Sequence, residues 1–249
     1  VNGVAFTGNP SNAADRRYVV TAQKGEESVV SPESGVLPEK NILTVPLYHI
    51  AGLQAVMASI YGWRTLVVQR QFDPKEWMEL VLGERVDRAM MVPTMLKQLM
   101  DHEEFQDYDL SSLQVITYGA APMPLEVIRR ALVTFPECRF LNAFGQTETA
   151  SPITMLPPED HVIPKGLPPE EEERRIKRLS SIGRPLPDVE VRVVDENGND
   201  VPTGEVGEVV ARGPRLMKGY WKQDEATDQT MRGGWLYTGD LGYMDEEQY

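Results

Sequence analysis

Two short, well-separated stretches carry the side chains best suited to chemistry: Asn142-Ala143-Phe144-Gly145-Gln146-Thr147-Glu148 and Trp235-Leu236-Tyr237-Thr238-Gly239-Asp240. Each sets an acidic side chain beside a threonine and a glycine. Gly145 lets the backbone approach a ligand closely, because it lacks a Cβ and tolerates unusual φ/ψ. Thr147 offers a hydroxyl to a phosphoryl oxygen, and Glu148 offers a hard carboxylate to Mg²⁺. Asp240, ionised, accepts from both hydroxyls of a ribose. These residue types together point to a nucleotide and to adenylation chemistry. The plainer readings are a Thr/Glu helix start and a tight Gly-Asp turn.

The elements that must hold these residues follow from periodicity. Four apolar, β-prone runs recur: Thr65–Val68, Ala89–Val92, Val115–Tyr118 and Arg139–Leu141. Helical patterns lie between them. Asp73-Pro74 supplies an N-cap and a first-turn proline, with Trp77, Leu80 and Val81 on one face. Pro93 opens a second helix and Pro124 a third, the latter with Leu125, Ile128, Ala131, Leu132 and Phe135 in period. This rhythm predicts an α/β fold with a parallel sheet flanked by helices, whose ligands sit beyond the carboxyl ends of the strands. Gly119–Met123 follows the third run and Gly145–Glu148 the fourth. Beyond Ala150 the texture changes. Glu170/Arg174, Glu171/Arg175 and Glu173/Lys177 are spaced as i,i+4 pairs on a solvated helix. From Ser181 short alternating runs predict a small β-rich subdomain, with a turn at Asn197-Gly198 and a helix near Asp224–Met231. The expected division is an unassigned leading segment over 1–40, an α/β subdomain over 41–180, and a β-rich subdomain over 181–249.

Composition narrows the function classes. The formal net charge of −13 disfavours nucleic acid or an anionic membrane surface as main partner. An anionic substrate must then be met by local donors and a metal. The lone Cys138 excludes an internal disulfide framework and fits a reducing cytoplasm. The most apolar stretch, Ile50 to Trp63, is too short to be a transmembrane segment. Residues 1–11 lack the basic region and apolar core of a signal peptide. No GxxxxGK[ST], GxGxxG, HExxH, CxxC or GxSxG pattern occurs, which disfavours P-loop, dinucleotide, zinc-protease and serine-hydrolase chemistry.

Six motifs in order resemble the AMP-forming acyl-CoA synthetases of the adenylate-forming superfamily. They are Pro46-Leu47-Tyr48-His49-Ile50-Ala51-Gly52, Tyr118-Gly119-Ala120-Ala121-Pro122-Met123, the Gln146-Thr147-Glu148 loop, Gly207–Pro214, Met217-Lys218-Gly219-Tyr220-Trp221 and Tyr237-Thr238-Gly239-Asp240. The resemblance implies that Thr147 contacts the α-phosphate and that Glu148 holds Mg²⁺. It makes Gly119, Ala120 and Ala121 one wall against adenine and Phe144 the other, with Asn142, Gly145 and Gln146 lining the nucleotide and Asp240 binding its ribose. His49, Gly119 and Met123 would border the acyl substrate. His49 read without the resemblance is a packed core histidine, and Gly207–Trp221 a hairpin that positions the Thr-Gly-Asp strand. ATP, Mg²⁺ and coenzyme A are the implied cofactor and substrates, and a small carboxylic acid the implied partner.

The family's Ser/Thr/Gly-rich phosphate loop, expected before His49, has no match in residues 1–40. Its mobile C-terminal domain, with the adenylation lysine, is expected after Tyr249. The chain therefore reads as the central and later part of a synthetase's large domain. Gln146 stands where peptide-synthetase domains carry proline, and Leu236-Tyr237 replaces their Tyr-Arg, so a CoA ligase is favoured. A medium- or long-chain fatty acid is the leading substrate class, supported by apolar Met123, Ile50 and Leu53, and an aryl acid the runner-up. A non-catalytic nucleotide- or acyl-binding chain is the competing class.

Overall fold

The computed structural model describes residues 39–150 and 152–249 in full, and residues 3–7 and 17–23 by their backbone alone. The remainder of the leading segment, to which the sequence assigns no role, lies outside the described residues. The chain divides into two compact units, Val1–Leu141 and Asn142–Tyr249.

In the first unit the strands are β1 (Gly3–Thr7), β2 (Arg17–Gln23), β3 (Lys40–Leu43), β4 (Thr65–Gln69), β5 (Arg88–Met91) and β6 (Val115–Gly119). The helices are α1 (Ile50–Tyr61), α2 (Pro74–Glu84), α3 (Pro93–Asp101) and α4 (Leu125–Thr134). The strands lie in the order β1-β2-β4-β3-β5-β6. β4, β3, β5 and β6 run parallel, while β1 and β2 are antiparallel additions at one edge. The expected parallel sheet flanked by helices is present. Its strands are buried on both faces, as helix-covered parallel strands must be: Ile42, Val67 and Ile116 are all fully buried. α2 starts as the sequence requires, with the Asp73 carboxylate accepting from the Glu76 amide at 2.9 Å and Pro74 in the first turn. The N-terminal ends of three strands are tied by Glu39, whose carboxylate accepts from Arg64 at 2.6 Å and Arg88 at 2.7 Å. β3 has no sequence signal of its own, because Lys40 and Asn41 leave only two apolar residues in the run.

β7 (Arg139–Gly145) carries the chain from the first unit into the second. It is four residues longer than the run Arg139–Leu141. The added stretch Asn142–Gly145, which takes in the first residue of the expected Gly145–Glu148 loop, is strand because β8 (Pro152–Leu156) pairs with it antiparallel. β9 (Arg184–Pro185) pairs in turn with β8. α5 (Pro169–Arg178) buries no residue and is the solvated helix expected. Of its three anticipated pairs, Arg175 meets Glu171 at 3.4 Å, whereas Arg174 reaches Glu247 at 3.1 Å and Lys177 lies over the Tyr243 ring. Tertiary acceptors win there because an exposed i,i+4 pair contributes only a few tenths of a kcal/mol.

The antiparallel sheet of the second unit has the order β10-β11-β13-β12, comprising β10 (Glu190–Val194), β11 (Gly207–Arg212), β12 (Met231–Arg232) and β13 (Trp235–Gly242). α6 (Asp224–Thr230) precedes β12. Asn197-Gly198 forms the predicted turn, with the Asp195 carboxylate accepting from the Asn197 and Asn199 amides and Gly198 at φ 81°. Ile153, Val189 and Ala211 form a buried cluster here, against which Phe144, Leu186, Val191 and Leu216 pack. Cys138 is partly buried, which pushes its thiol up to about 12. It therefore stays a neutral thiol, in keeping with a structural role. Among the described residues no helix is long and apolar enough to cross a membrane.

His161 is buried at 4% exposure, and its Nδ1 lies 2.9 Å from the Pro157 carbonyl. Burial holds its pKa below the ordinary 6.5. Above that pH the ring is neutral folded or unfolded, so it contributes no pH dependence. As pH falls through 6.5 the unfolded chain takes up the proton first, and stability drops until the folded ring also charges. Replacing His161 by Asn should flatten the fall in Tm between about pH 6.5 and 5. An unchanged slope in thermal scans would remove His161 as its source.

Candidate nucleotide site

The acidic loop of the second unit is a tight structure built around one buried hydroxyl. After β7 the chain enters a 3-10 turn, Thr147–Thr149. Thr149 Oγ1 accepts from the Gln146 amide and donates to the Gln146 carbonyl, both at 2.9 Å. Ala150 then ends the turn at φ 56°, a left-handed conformation that an alanine adopts only at a cost of about 1 kcal/mol. With Thr149 turned inward, Thr147 is exposed and Glu148 half-buried.

The Thr238-Gly239-Asp240 segment is an irregularity in β13. Val210 pairs with Tyr237 and Glu208 with Leu241, so Thr238, Gly239 and Asp240 together face only Val209. Such a bulge leaves backbone groups without ladder partners and re-aims side chains. The Thr238 hydroxyl donates to the Val209 carbonyl at 2.7 Å and accepts from the Asp240 amide at 3.1 Å. The Glu208 carboxylate accepts from the Gly239 amide at 3.0 Å. Gly239 takes φ 75°, where a Cβ would be strained even though the space is open. Asp240 is thereby left at the surface with its carboxylate exposed.

A single side chain joins the two. Gln146 Nε2 donates to the Thr238 carbonyl at 2.8 Å and to Asp240 Oδ2 at 3.0 Å, across sequence separations of 92 and 94 residues. The loop has a second anchor. The Met217 amide donates to the Glu148 carbonyl at 2.7 Å, and the Tyr220 hydroxyl donates to Glu148 Oε1 at 2.8 Å. That hydrogen bond to the carboxylate, aided by partial burial, holds the Tyr220 phenol above its usual pKa. The segment carrying Tyr220 was expected only to position the hairpin. Its contact with Glu148 joins residues 72 apart and leaves no periodic trace in the sequence.

The other expected residues are placed as follows. Asn142 is 8% exposed and donates to the Ser181 carbonyl at 2.9 Å, so its amide nitrogen is engaged by the fold. Phe144 is half-buried against the Ile153–Val189–Ala211 cluster, and Gly145 ends β7. In the first unit Gly119 closes β6, Ala120 takes φ 61°, Ala121 is exposed and Met123 is 7% exposed. Left-handed alanines occur in both candidate loops, at Ala120 and at Ala150, while Trp63, Arg85, Lys222 and Gln248 take the same region elsewhere among the described residues. His49 is exposed rather than packed in the core. It serves as the N-cap of α1, with Nδ1 accepting from the Ala51 amide at 3.2 Å. A histidine immediately before an apolar run suits a helix start as well as a core, and the cap requirement decides here.

Among the described residues no group of three or more His, Cys, Asp or Glu is arranged to hold a metal ion by itself. Mg²⁺ takes one or two carboxylates and completes its shell with water and substrate phosphate. Glu148, with one oxygen occupied by Tyr220 and beside the exposed Thr147 hydroxyl, is a donor set of that kind.

The chain matches the AMP-binding enzyme family over residues 17–221. It is 35% identical over 208 residues to a medium/long-chain-fatty-acid–CoA ligase of Mycobacterium tuberculosis, covering 84% of this chain and 34% of that protein. A feruloyl-CoA synthase of an Amycolatopsis species is 33% identical over 212 residues, 85% of this chain and 40% of that protein. Among solved structures, an amide bond synthetase from Marinactinospora thermotolerans superposes with a TM-score of 0.72 at 34% identity, covering 84% of this chain and 40% of that one. The chain spans well under half the length of these relatives.

Gln146→Ala removes both bonds to the Thr238–Asp240 bulge while leaving β11 and β13 paired. We expect faster amide exchange at Gly239 and Asp240, with unfolding free energy lowered by no more than about 1.5 kcal/mol because the bridge is partly exposed. Exchange at those amides identical to the parent chain's would show that the bridge does not order the bulge.

Proposed function

The chain belongs to the AMP-binding enzyme family, and from that premise we propose that it forms the nucleotide-binding part of an acid–thiol ligase. The reaction is activation of a carboxylic acid with ATP to an acyl adenylate, followed by transfer to coenzyme A. The observation that supports this reading most is the Gln146 bridge, which ties Asp240 to the residue immediately before Thr147 and Glu148.

In this reading Asp240 accepts the ribose hydroxyls, with Oδ2 oriented by Gln146. Thr147 donates its hydroxyl to an α-phosphate oxygen. Glu148 holds Mg²⁺, which when bound offsets the negative charge that grows on the phosphate. In the second unit Phe144 lies against adenine; in the first, Gly119, Ala120 and Ala121 take the adenine-facing role that the family gives their motif, and His49, Gly119 and Met123 the acid-facing one. A carboxylate oxygen attacks the α-phosphorus, the bond to the β-phosphate oxygen breaks, and pyrophosphate leaves. The thiol of coenzyme A, losing its proton, then attacks the acyl carbonyl carbon and AMP departs.

We propose a medium- or long-chain fatty acid as the substrate class and a cytoplasmic setting. The fatty-acid ligase relative at 35% identity supports the first. The feruloyl-CoA synthase at 33% supports an aryl acid nearly as well. AMP formation across a panel of alkanoic and cinnamic acids separates the two, and AMP formation with amino acids alone would end the CoA-ligase reading. A chain that binds AMP yet releases no pyrophosphate with any acid, ATP and Mg²⁺ would be a binding module only.

Two substitutions test the roles. Asp240→Ala should weaken AMP binding about ten- to a hundredfold, the range for losing hydrogen bonds to a charged group. The 2′-deoxy nucleotide should lose less in that variant than in the parent chain. Equal 2′-deoxy penalties by calorimetry would take Asp240 out of the ribose site. Glu148→Gln keeps shape but removes the anionic ligand, so it should lower kcat of adenylation more than it alters acid binding. An unaltered rate and Mg²⁺ dependence would exclude Glu148 as the metal ligand.

A further inference from the structure

We propose that Tyr220 is a positioning residue for the divalent cation, acting through Glu148; this rests on the assignment of Glu148 as the metal ligand. The Tyr220 hydroxyl donates to Glu148 Oε1 at 2.8 Å. A carboxylate so held keeps its Oε2 edge for a cation and loses the freedom to rotate between one- and two-oxygen coordination. Ligating carboxylates depend on partners of this kind for orientation.

The backbone that carries the phenol is itself fixed from behind. The Tyr220 amide donates to Thr227 Oγ1 at 2.9 Å, and the same hydroxyl donates to the Gln223 carbonyl at 2.9 Å. Gly219, at φ 151°, passes so close to Thr227 that a Cβ would lie 2.8 Å from its Cγ2. The Met217 amide bonds the Glu148 carbonyl at 2.7 Å. Backbone and side chain of Glu148 are thus gripped from one short segment, Met217–Tyr220. A tyrosine with a purely packing role needs no such alignment of its hydroxyl. A hydroxyl donor also leaves the carboxylate its full charge, which a lysine or arginine in the same place would neutralise.

The test is Mn²⁺ affinity of the full chain in the presence of α,β-methylene-ATP, measured by water-proton relaxation, beside AMP affinity without metal. Tyr220→Phe keeps the ring and the Thr227 anchor on the backbone. It should weaken Mn²⁺ binding about ten- to a hundredfold, the usual effect of losing such a partner. Metal-free AMP affinity should be unchanged, a separation that loss of fold would not produce. Glu148→Gln should weaken Mn²⁺ at least as much. Unchanged Mn²⁺ affinity in Tyr220→Phe, with Glu148→Gln weakened, overturns the role of Tyr220 alone. Unchanged affinity in Glu148→Gln overturns both the ligand assignment and the role built on it. Should Tyr220→Phe not fold, Thr227→Val releases the Tyr220 backbone while keeping the phenol. Weaker Mn²⁺ binding in that variant supports the proposal, and full affinity overturns it.

Discussion

Gln146 Nε2 carries two hydrogens and spends each on a different acceptor, the Thr238 carbonyl and Asp240 Oδ2. Only a neutral amide does both without disturbing the charges around it. A glutamate there would repel Asp240. A lysine would satisfy the same acceptors but cancel the carboxylate's charge. A proline, lacking any such donor, would leave the strand bulge and the acidic loop unconnected. The choice of residue at this position therefore decides whether these two hydrogen bonds between distant segments can form.

The bulge shows the same economy. Extra residues in β13 expose an amide and a carbonyl that would otherwise go unpaired, and such groups are expensive to leave so. Thr238 and Glu208 satisfy them with their own side chains. These two chemically capable residues are consumed by the fold, and Asp240 is left exposed. The acidic loop divides its side chains likewise: Thr149 closes the turn and Thr147 faces outward. Neighbouring residues of similar chemistry thus take opposite roles, structural and open, according to which backbone groups need partners.

Much of the fold was legible because it rests on local patterns. Proline after a capping aspartate announces α2, apolar β-prone runs announce β4, β5 and β6, and alternating runs beyond Ser181 announce β10 and β11. The strands missed were those whose identity comes from a partner. β3 is four residues long and half polar, and the second half of β7 is strand only because β8 lies beside it. Candidate site residues were legible as motifs, but their partnerships were not. Nothing in the spacing of Asn142 says that its amide nitrogen is taken up by Ser181, or that a tyrosine near the end of the chain reaches Glu148. His49 was misread in its plain form, since an apolar run after a histidine suits a buried ring and a helix cap equally well, and the cap won.

Charge explains why the partnerships take the form they do. The chain carries a formal net charge of −13, and Glu148, Glu208 and Asp240 are among the acids that make it up. A polyphosphate approaching such a surface is repelled unless a cation comes with it. The partners seen for the Glu148 and Asp240 carboxylates are neutral donors, a phenol and an amide side chain. Each fixes a carboxylate in direction without discharging it. Carboxylates held in place and left negative attract Mg²⁺ and accept from sugar hydroxyls. Carboxylates paired with arginine, such as Asp188 with Arg215 in the same unit, do neither. A neutral partner thus separates Glu148 and Asp240 from the arginine-paired Asp188, a feature they share with amide-held cap and turn acids such as Asp73 and Asp195.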